Sequence, residues 1–306
     1  MITTILVPLD GSAFAETALP SARWIATRTG ARIYLLRAHQ PVPVLVGVAE
    51  ASAFAPSPDL EATRREQQYL EETASRFGPV GGREVKTILV EGPAGDHVVE
   101  AAARIGADLI VMATHGRGAL GRLWLGSVAD HVVRHATIPV FLIRPNEAGI
   151  AESPAIRGIL VPLDLSDTSE AILEPVIELA SLSGASVTLL HVVQRYAIAF
   201  IPGAPYPIPE DPVFCGVQRA EAECRLEEVA GKLRLRGIPV SIRVVITTHP
   251  AFGVLEELAK PDHDIVALAT HGAGGIRRLL LGSVADEVIR GAAKRILVTR
   301  PTEELH

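Results

Sequence analysis

The chain has 306 residues, room for about two domains of roughly 150 residues, each with its own core. Apolar residues make up 48% and charged residues 21%, the balance of a folded globular protein rather than a disordered one. The 29 basic and 35 acidic side chains leave a net charge of −6, which excludes a general attraction to nucleic acid or an anionic membrane.

Two cysteines, Cys215 and Cys224, are too few for a disulfide scaffold or a cysteine-based zinc site. Aromatic residues are only 4%, so Val, Leu, Ile and Ala must build the core.

The opening run ITTILVPLD (2–10) reads as a strand, with no secretory signal in front of it. No uninterrupted apolar stretch approaches the roughly 20 residues of a membrane helix. The longest candidate, 40–55, contains Pro41, Pro43, Gly47 and Glu50, and a cytoplasmic protein is expected. Ser12 can cap a helix over 13–29, which Gly30 ends. A strand follows at 32–38, then a Pro- and Ala-rich loop over 40–58. The segment 59–77 has strong helical periodicity and opens on Asp59. Next come a strand at 84–90, a helix at 94–105 and a strand at 108–114. A glycine-rich loop, a helix over 127–135 and a last strand at 139–144 complete the series.

The same series then repeats. ILVPLDGS at 5–12 returns as ILVPLDLS at 159–166, and ATHGRGALGRLWLGSVADHVVR at 113–134 returns as ATHGAGGIRRLLLGSVADEVIR at 269–290. Asp10 and Asp164 stand 154 positions apart, Gly126 and Gly282 156 apart. A period this long means two whole domains. They are placed at 1–145 and 158–306, with the polar, Pro- and Gly-bearing stretch 146–157 as linker.

Strands alternating with helices imply right-handed βαβ crossovers, and the apolar runs LIVM and IVALA suit strands buried on both faces. The expected fold is α/β: two tandem doubly wound domains, each a five-stranded, mostly parallel sheet with helices on both faces. Ligands of such sheets bind outside the carboxyl ends of the strands, where the strand order reverses.

The polar motifs fall at those ends. Asp10 and Asp164 close the first strand of each half, positioned like acids that hold a ribose hydroxyl; a cap or turn with Ser12 or Ser166 is the plainer role. After the fourth strand stand Ala113, Thr114, His115 and Gly116, then nine residues, then Gly126 and Ser127. The copy is Ala269, Thr270, His271 and Gly272, nine residues, Gly282 and Ser283. Glycine lets backbone amides approach a ligand closely, and a Gly-Ser pair opening a helix offers free N–H groups to an anion such as phosphate. The alternative is that Gly serves only the turn and Ser only caps the helix. The run from Gly116 to Gly121 matches G-x-G-x-x-G, but follows the fourth strand and loses its last glycine to Arg277 in the copy. The Walker spacing from Gly116 to Gly121 lacks its Lys-Ser/Thr, so phosphoryl-transfer machinery is not identifiable.

At these residues the sequence resembles the universal stress protein family in its tandem two-domain form, over almost the whole chain. The family's nucleotide-binding members carry G-x-x-G-x(9)-G-[ST] after the fourth strand and an Asp ending the first. Both halves match except at the first glycine, which is Ala113 and Ala269 here; in the family that position lies against the ribose. The resemblance implies ATP, or another adenine nucleotide, with magnesium left open. It puts the backbone of Ala38 and Val192 at the base, Asp10 and Asp164 at ribose or base, and the Gly and Ser residues at the phosphates. Met112 and Leu268 pack on the nucleotide or serve as core. His115 and His271 beside the loop have a structural hydrogen-bonding role or a catalytic one; Arg117, Arg122, Arg277 and Arg278 screen phosphate or are solvated.

The loops at 40–58 and 194–216 leave the ligand end of the sheet as covers, partner surfaces or interdomain packing. In the family the last strand pairs antiparallel with its counterpart, which two halves of one chain can do as an internal pseudo-dimer; a homodimer stays open. The expected function is a cytoplasmic, nucleotide-dependent stress-response regulator with an unknown protein partner and no nucleic-acid or membrane partner. The alternatives are a nucleotide-independent scaffold and a slow ATPase.

Overall fold

The computed structural model describes residues 1–41, 58–114, 125–144, 155–195, 212–270 and 281–301. The chain divides into two compact units, Met1–Pro154 and Ala155–His306.

In the first unit the elements are β1 (Thr4–Pro8), α1 (Ala13–Glu16), α2 (Leu19–Thr29), β2 (Arg32–His39), α3 (Pro58–Phe77), β3 (Lys86–Glu91), α4 (Ala94–Ile105), β4 (Leu109–Ala113), α5 (Ser127–His135) and β5 (Val140–Ile143). The strand order is β3-β2-β1-β4-β5, and all four pairings are parallel. Leu6 stands opposite both Tyr34 and Ile110. Every residue of β1, β4 and β5 is buried, as strands covered by helices on both faces must be. The chain runs outward from β1 through β2 and β3, then returns to β4 on the other side. The carboxyl ends of β1 and β4 therefore mark the reversal of strand order, where the backbone parts to leave a crevice.

The second unit repeats this as β6 (Gly158–Pro162), α6 (Asp167–Glu170), α7 (Leu173–Ser183), β7 (Ser186–Gln194), α8 (Pro212–Leu235), β8 (Val240–Thr247), α9 (Pro250–Ala259), β9 (Ile265–Ala269), α10 (Ser283–Gly291) and β10 (Arg295–Thr299). Its order is β8-β7-β6-β9-β10, again with all pairs parallel.

An aspartate ties down the foot of each first strand. Asp108 Oδ2 accepts from the Thr3 N–H at 2.7 Å, the Thr3 hydroxyl at 2.7 Å and the Thr4 N–H at 3.0 Å. Asp264 Oδ2 accepts from the Arg157 and Gly158 amides. Burial works against ionisation of both acids, but these donors outweigh it and hold each carboxyl below its usual range.

Two expectations change. The single helix over 13–29 is two helices, with a break at Thr17 and Ala18. Pro20 has no N–H to give the Glu16 carbonyl, so the helix stops and restarts with the proline in its first turn. Pro175 does the same between α6 and α7. The loop over 194–216 is shorter than its composition suggests, because α8 starts at Pro212, a residue type suited to the first helical position. Gly30 ends α2 as expected, with φ at 71°. Among the described residues, no helix is long and apolar enough to cross a membrane.

Candidate functional site

Each unit carries a cavity at the carboxyl ends of its central strands. The first measures about 350 Å³ and the second about 540 Å³, within the range of small-ligand sites. Asp10, Ala38, Met112, Ala113, Gly126 and Ser127 line the first. Asp164, Val192, Leu268, Ala269, Gly282 and Ser283 line the second. Sequence positions more than 100 residues apart thus meet in one crevice, twice. His115, Gly116, His271 and Gly272, with Arg117, Arg122, Arg277 and Arg278, lie outside the described residues.

The acidic wall is built by a turn. Asp10 Oδ1 accepts from the Ser12 N–H at 2.9 Å and the Ser12 hydroxyl at 2.5 Å. Ser12 Oγ in turn accepts from the Ala15 N–H and caps α1. Asp164, Ser166 and Ser169 repeat these bonds. The turn role weighed from sequence is therefore present, and it fixes the carboxylate at the cavity wall. The turn needs a left-handed residue in the middle: Gly11 has φ of 78°, and Leu165 takes φ of 68° in the copy. Leu165 is the one non-glycine with positive φ among the described residues, a costly conformation held in place beside the cavity.

The opposite wall is a helix mouth. Gly126 and Gly282 occupy the N-cap positions, and neither α5 nor α10 has a side-chain cap bond. This corrects the reading of Ser127 and Ser283 as caps: each is the first residue inside its helix. The first-turn amides have no partner within the helix, and residues 126–129 line the first cavity. The first-turn acids Asp130 and Asp286 are matched by Arg134 and Arg290, each at 2.8 Å, which offsets their repulsion of an anion. Thr114 and Thr270, buried and not singled out from sequence, close the connection: their carbonyls accept from the Gly126 and Gly282 amides at 2.7 and 2.9 Å.

The third wall is a strand edge. The Leu9 N–H donates to the Leu36 carbonyl at 2.7 Å, just past the end of β1. Backbone groups of alternate residues turn to alternate neighbours in a parallel strand, and the His39 carbonyl accepts from Gly92 on the β3 side. Ala38 therefore turns its N–H and C=O toward the β1 side, beyond the last rung. Val192 holds the same place, after the Leu163–Leu190 rung. Met112 and Leu268 are both buried and cavity-lining, so each is a core side chain that also reaches the cavity wall.

The cavities are not identical. His191 lines the second one and its Nδ1 donates to the Leu163 carbonyl at 2.8 Å. In the first unit Arg37 stands at that position and is drawn away to Glu66. No sequence signal separated these roles, because both depend on partners distant in the chain.

Doubly wound parallel sheets with a polar-ended crevice at the switch point define the class: a tandem pair of doubly wound α/β domains. A sequence profile of the universal stress protein family matches residues 1–144 and 155–300. The chain belongs to the universal stress protein family. A universal stress protein of Mycobacterium tuberculosis is 34% identical over 196 residues, covering 63% of this chain and 62% of that relative's length. Another, from Mycolicibacterium smegmatis, is 28% identical over 97% of both chains. The crystal structure of a universal stress protein from Archaeoglobus fulgidus matches 98% of this chain and 97% of its own, with a TM-score of 0.68 at 18% identity. That likeness is one of fold.

Proposed function

We propose that each unit binds an adenine nucleotide, ATP foremost, in its switch-point cavity, and that the protein acts as a nucleotide-dependent regulator in the stress response. The observation that carries the reading is a carboxylate-bearing turn and an uncapped helix mouth lining one cavity, in both units. In this reading the Ala38 and Val192 edges meet the base, since an N–H beside a C=O complements the adjacent acceptor and amine of adenine. Asp10 and Asp164 accept from ribose hydroxyls. The amides of α5 and α10, with the Ser127 and Ser283 hydroxyls, take the phosphates. Magnesium, where it accompanies ATP, would be carried on the phosphates.

Calorimetry of ATP binding to the purified chain, beside native mass spectrometry for retained nucleotide, tests this. Binding by the parent chain and its loss in the Gly126→Val, Gly282→Val double variant support it; no binding by the folded parent chain ends it. A second reading, a nucleotide-independent scaffold, is favoured by the Ala113 and Ala269 methyls in the cavity walls, and that same null result would support it. Slow hydrolysis is the third reading, tested by turnover in His115→Ala and His271→Ala.

A further inference from the structure

The strand that offers its edge to each cavity is braced differently in the two units. Ala38 is flanked by Arg37 and His39, both buried. Arg37 Nη2 donates to Glu66 Oε1 at 2.8 Å. His39 Nδ1 lies 2.9 Å from Glu66 Oε2, and its Nε2 lies 2.9 Å from Asp59 Oδ1. In the second unit the flanking residues are His191, bonded to a backbone carbonyl, and Val193, which is buried.

A carboxylate only accepts hydrogen bonds, so both His39 contacts are hydrogen bonds only when both ring nitrogens donate, as an imidazolium. Removing its proton leaves a lone pair against a carboxylate oxygen. One of the two contacts, to Glu66 or to Asp59 in the first turn of α3, then opens. The end of β2 then loses one of the two α3 carboxylates that hold it beside Ala38. The charged and titratable groups around the ring are Arg37 on β2, Asp59 and Glu66 on α3, Tyr69 on α3 against the Arg37 guanidinium, and Glu91 on β3, opposite His39 in register. From α4 the strand meets Ala94 and Val98, on the Ala38 side.

We propose that His39 is a positioning residue that makes the first cavity a proton-coupled nucleotide site, tighter when the ring is charged. This rests on the reading that both cavities bind adenine nucleotides. Coupling is reciprocal, so nucleotide in the first cavity strengthens proton binding at His39. The Asp59 hydrogen bond, opposed by burial and helped by Glu66, already holds His39 above the ordinary histidine value.

The test uses the full chain with one cavity disabled at a time, Gly282→Val to isolate the first and Gly126→Val to isolate the second. ATP affinity is measured calorimetrically between about pH 6 and about pH 9. Phosphate titration of ATP is common to Gly282→Val and to the same variant carrying His39→Gln, and cancels in the ratio of their affinities. The ratio of the affinity with His39 to that with His39→Gln should fall about fivefold or more as pH rises. Asp59→Asn, added to Gly282→Val, should flatten that dependence. NMR of the His39 imidazole should show its titration midpoint moving up when ATP is added, which a merely structural histidine would not show. A constant ratio, a slope that survives Asp59→Asn, or an unmoved midpoint overturns the proposal, as does binding confined to the second cavity. If neither single-cavity variant binds ATP at any pH, the nucleotide reading itself fails.

Discussion

The Gly282 amide donates to the Thr270 carbonyl at 2.9 Å, and a Cβ built on Gly282 would stand 3.3 Å from that same oxygen. The helix mouth of α10 thus lies against the end of β9 more tightly than most side chains accept, so a larger residue must displace the strand end slightly. Gly282→Val should push the α10 amides out of register with the second cavity. Amides bonded to a charged phosphate are worth about 1.5–3 kcal/mol each, so ATP affinity of the second unit should fall about tenfold or more. Circular dichroism should stay near that of the parent chain. Unchanged affinity would mean the phosphates sit elsewhere.

Asp10 carries two roles that one substitution separates. Asp10→Asn keeps an oxygen to accept from Ser12, so the turn and the α1 cap survive, and stability should move by less than about 0.5 kcal/mol. The charge facing the cavity is lost, and ATP affinity of the first unit should drop by about 1.5–3 kcal/mol. The pairing of thermal denaturation with calorimetry reads both. A stable variant with full affinity would leave Asp10 with the turn alone.

Leu165 occupies the backbone conformation that Gly11 occupies in the first unit. Left-handed geometry costs a non-glycine residue about 1 kcal/mol or more, while glycine adds entropy to the unfolded chain. Leu165→Gly should therefore stabilise the second unit by about 0.5 kcal/mol and leave its ATP affinity intact. Urea denaturation checks this. A loss of stability would show that packing of the Leu165 side chain outweighs the strain.

Much of this architecture was legible because its signals are local. The buried runs at β4 and β9 announce strands covered on both faces, and the duplication, read at Asp10/Asp164 and Gly126/Gly282, fixes which ends of the sheets carry polar groups. The helix break before Pro20 was legible too, since the missing N–H is in the sequence, yet the continuous apolar periodicity over 13–29 masked it. Ser127 looks like a cap because Gly-Ser pairs often end that way; only backbone dihedrals show that Gly126 holds the cap. The His39 cluster was not legible at all. Its carboxylates lie 20 and 27 positions away, and nothing in the periodicity of α3 says that Asp59 and Glu66 reach the same imidazole. Likewise the sequence makes Arg37 and His191 equivalent by alignment, while tertiary partners send one to Glu66 and the other to the Leu163 carbonyl.

His39 also sets a pH dependence of stability, with a definite sign. Its folded pKa is raised by Asp59 and Glu66 against the opposing effect of burial. The stabilisation is therefore complete below the unfolded histidine value of about 6.5 and is lost as pH climbs through the raised folded value. The stability difference between the parent chain and His39→Gln should be largest near about pH 6 and should shrink by about pH 9. Thermal denaturation across that range, without nucleotide, measures it. A difference that widens with pH would contradict a charged ring in the folded state.

Gly158 offers the sharpest contrast between the units. A Cβ there would lie 1.8 Å from the Asp262 carbonyl oxygen and 2.9 Å from its carbon. These are backbone atoms, so no rotamer change can make room. The residue cannot shift either, because its amide is tied to Asp264 and its carbonyl accepts from the Asp264 N–H at 2.9 Å. In the first unit the matching position is Thr4, whose carbonyl makes the same bond to the Asp108 N–H with a side chain already accommodated and buried. Gly158→Ala should therefore cost above about 3 kcal/mol, well beyond a typical core change, and should destabilise the second unit selectively. Thr4→Ala should cost about 1 kcal/mol. Hydrogen exchange resolved by unit distinguishes the two. If exchange of β6 and β9 amides is unchanged in Gly158→Ala, the close crossing at Asp262 is not a feature of the folded protein.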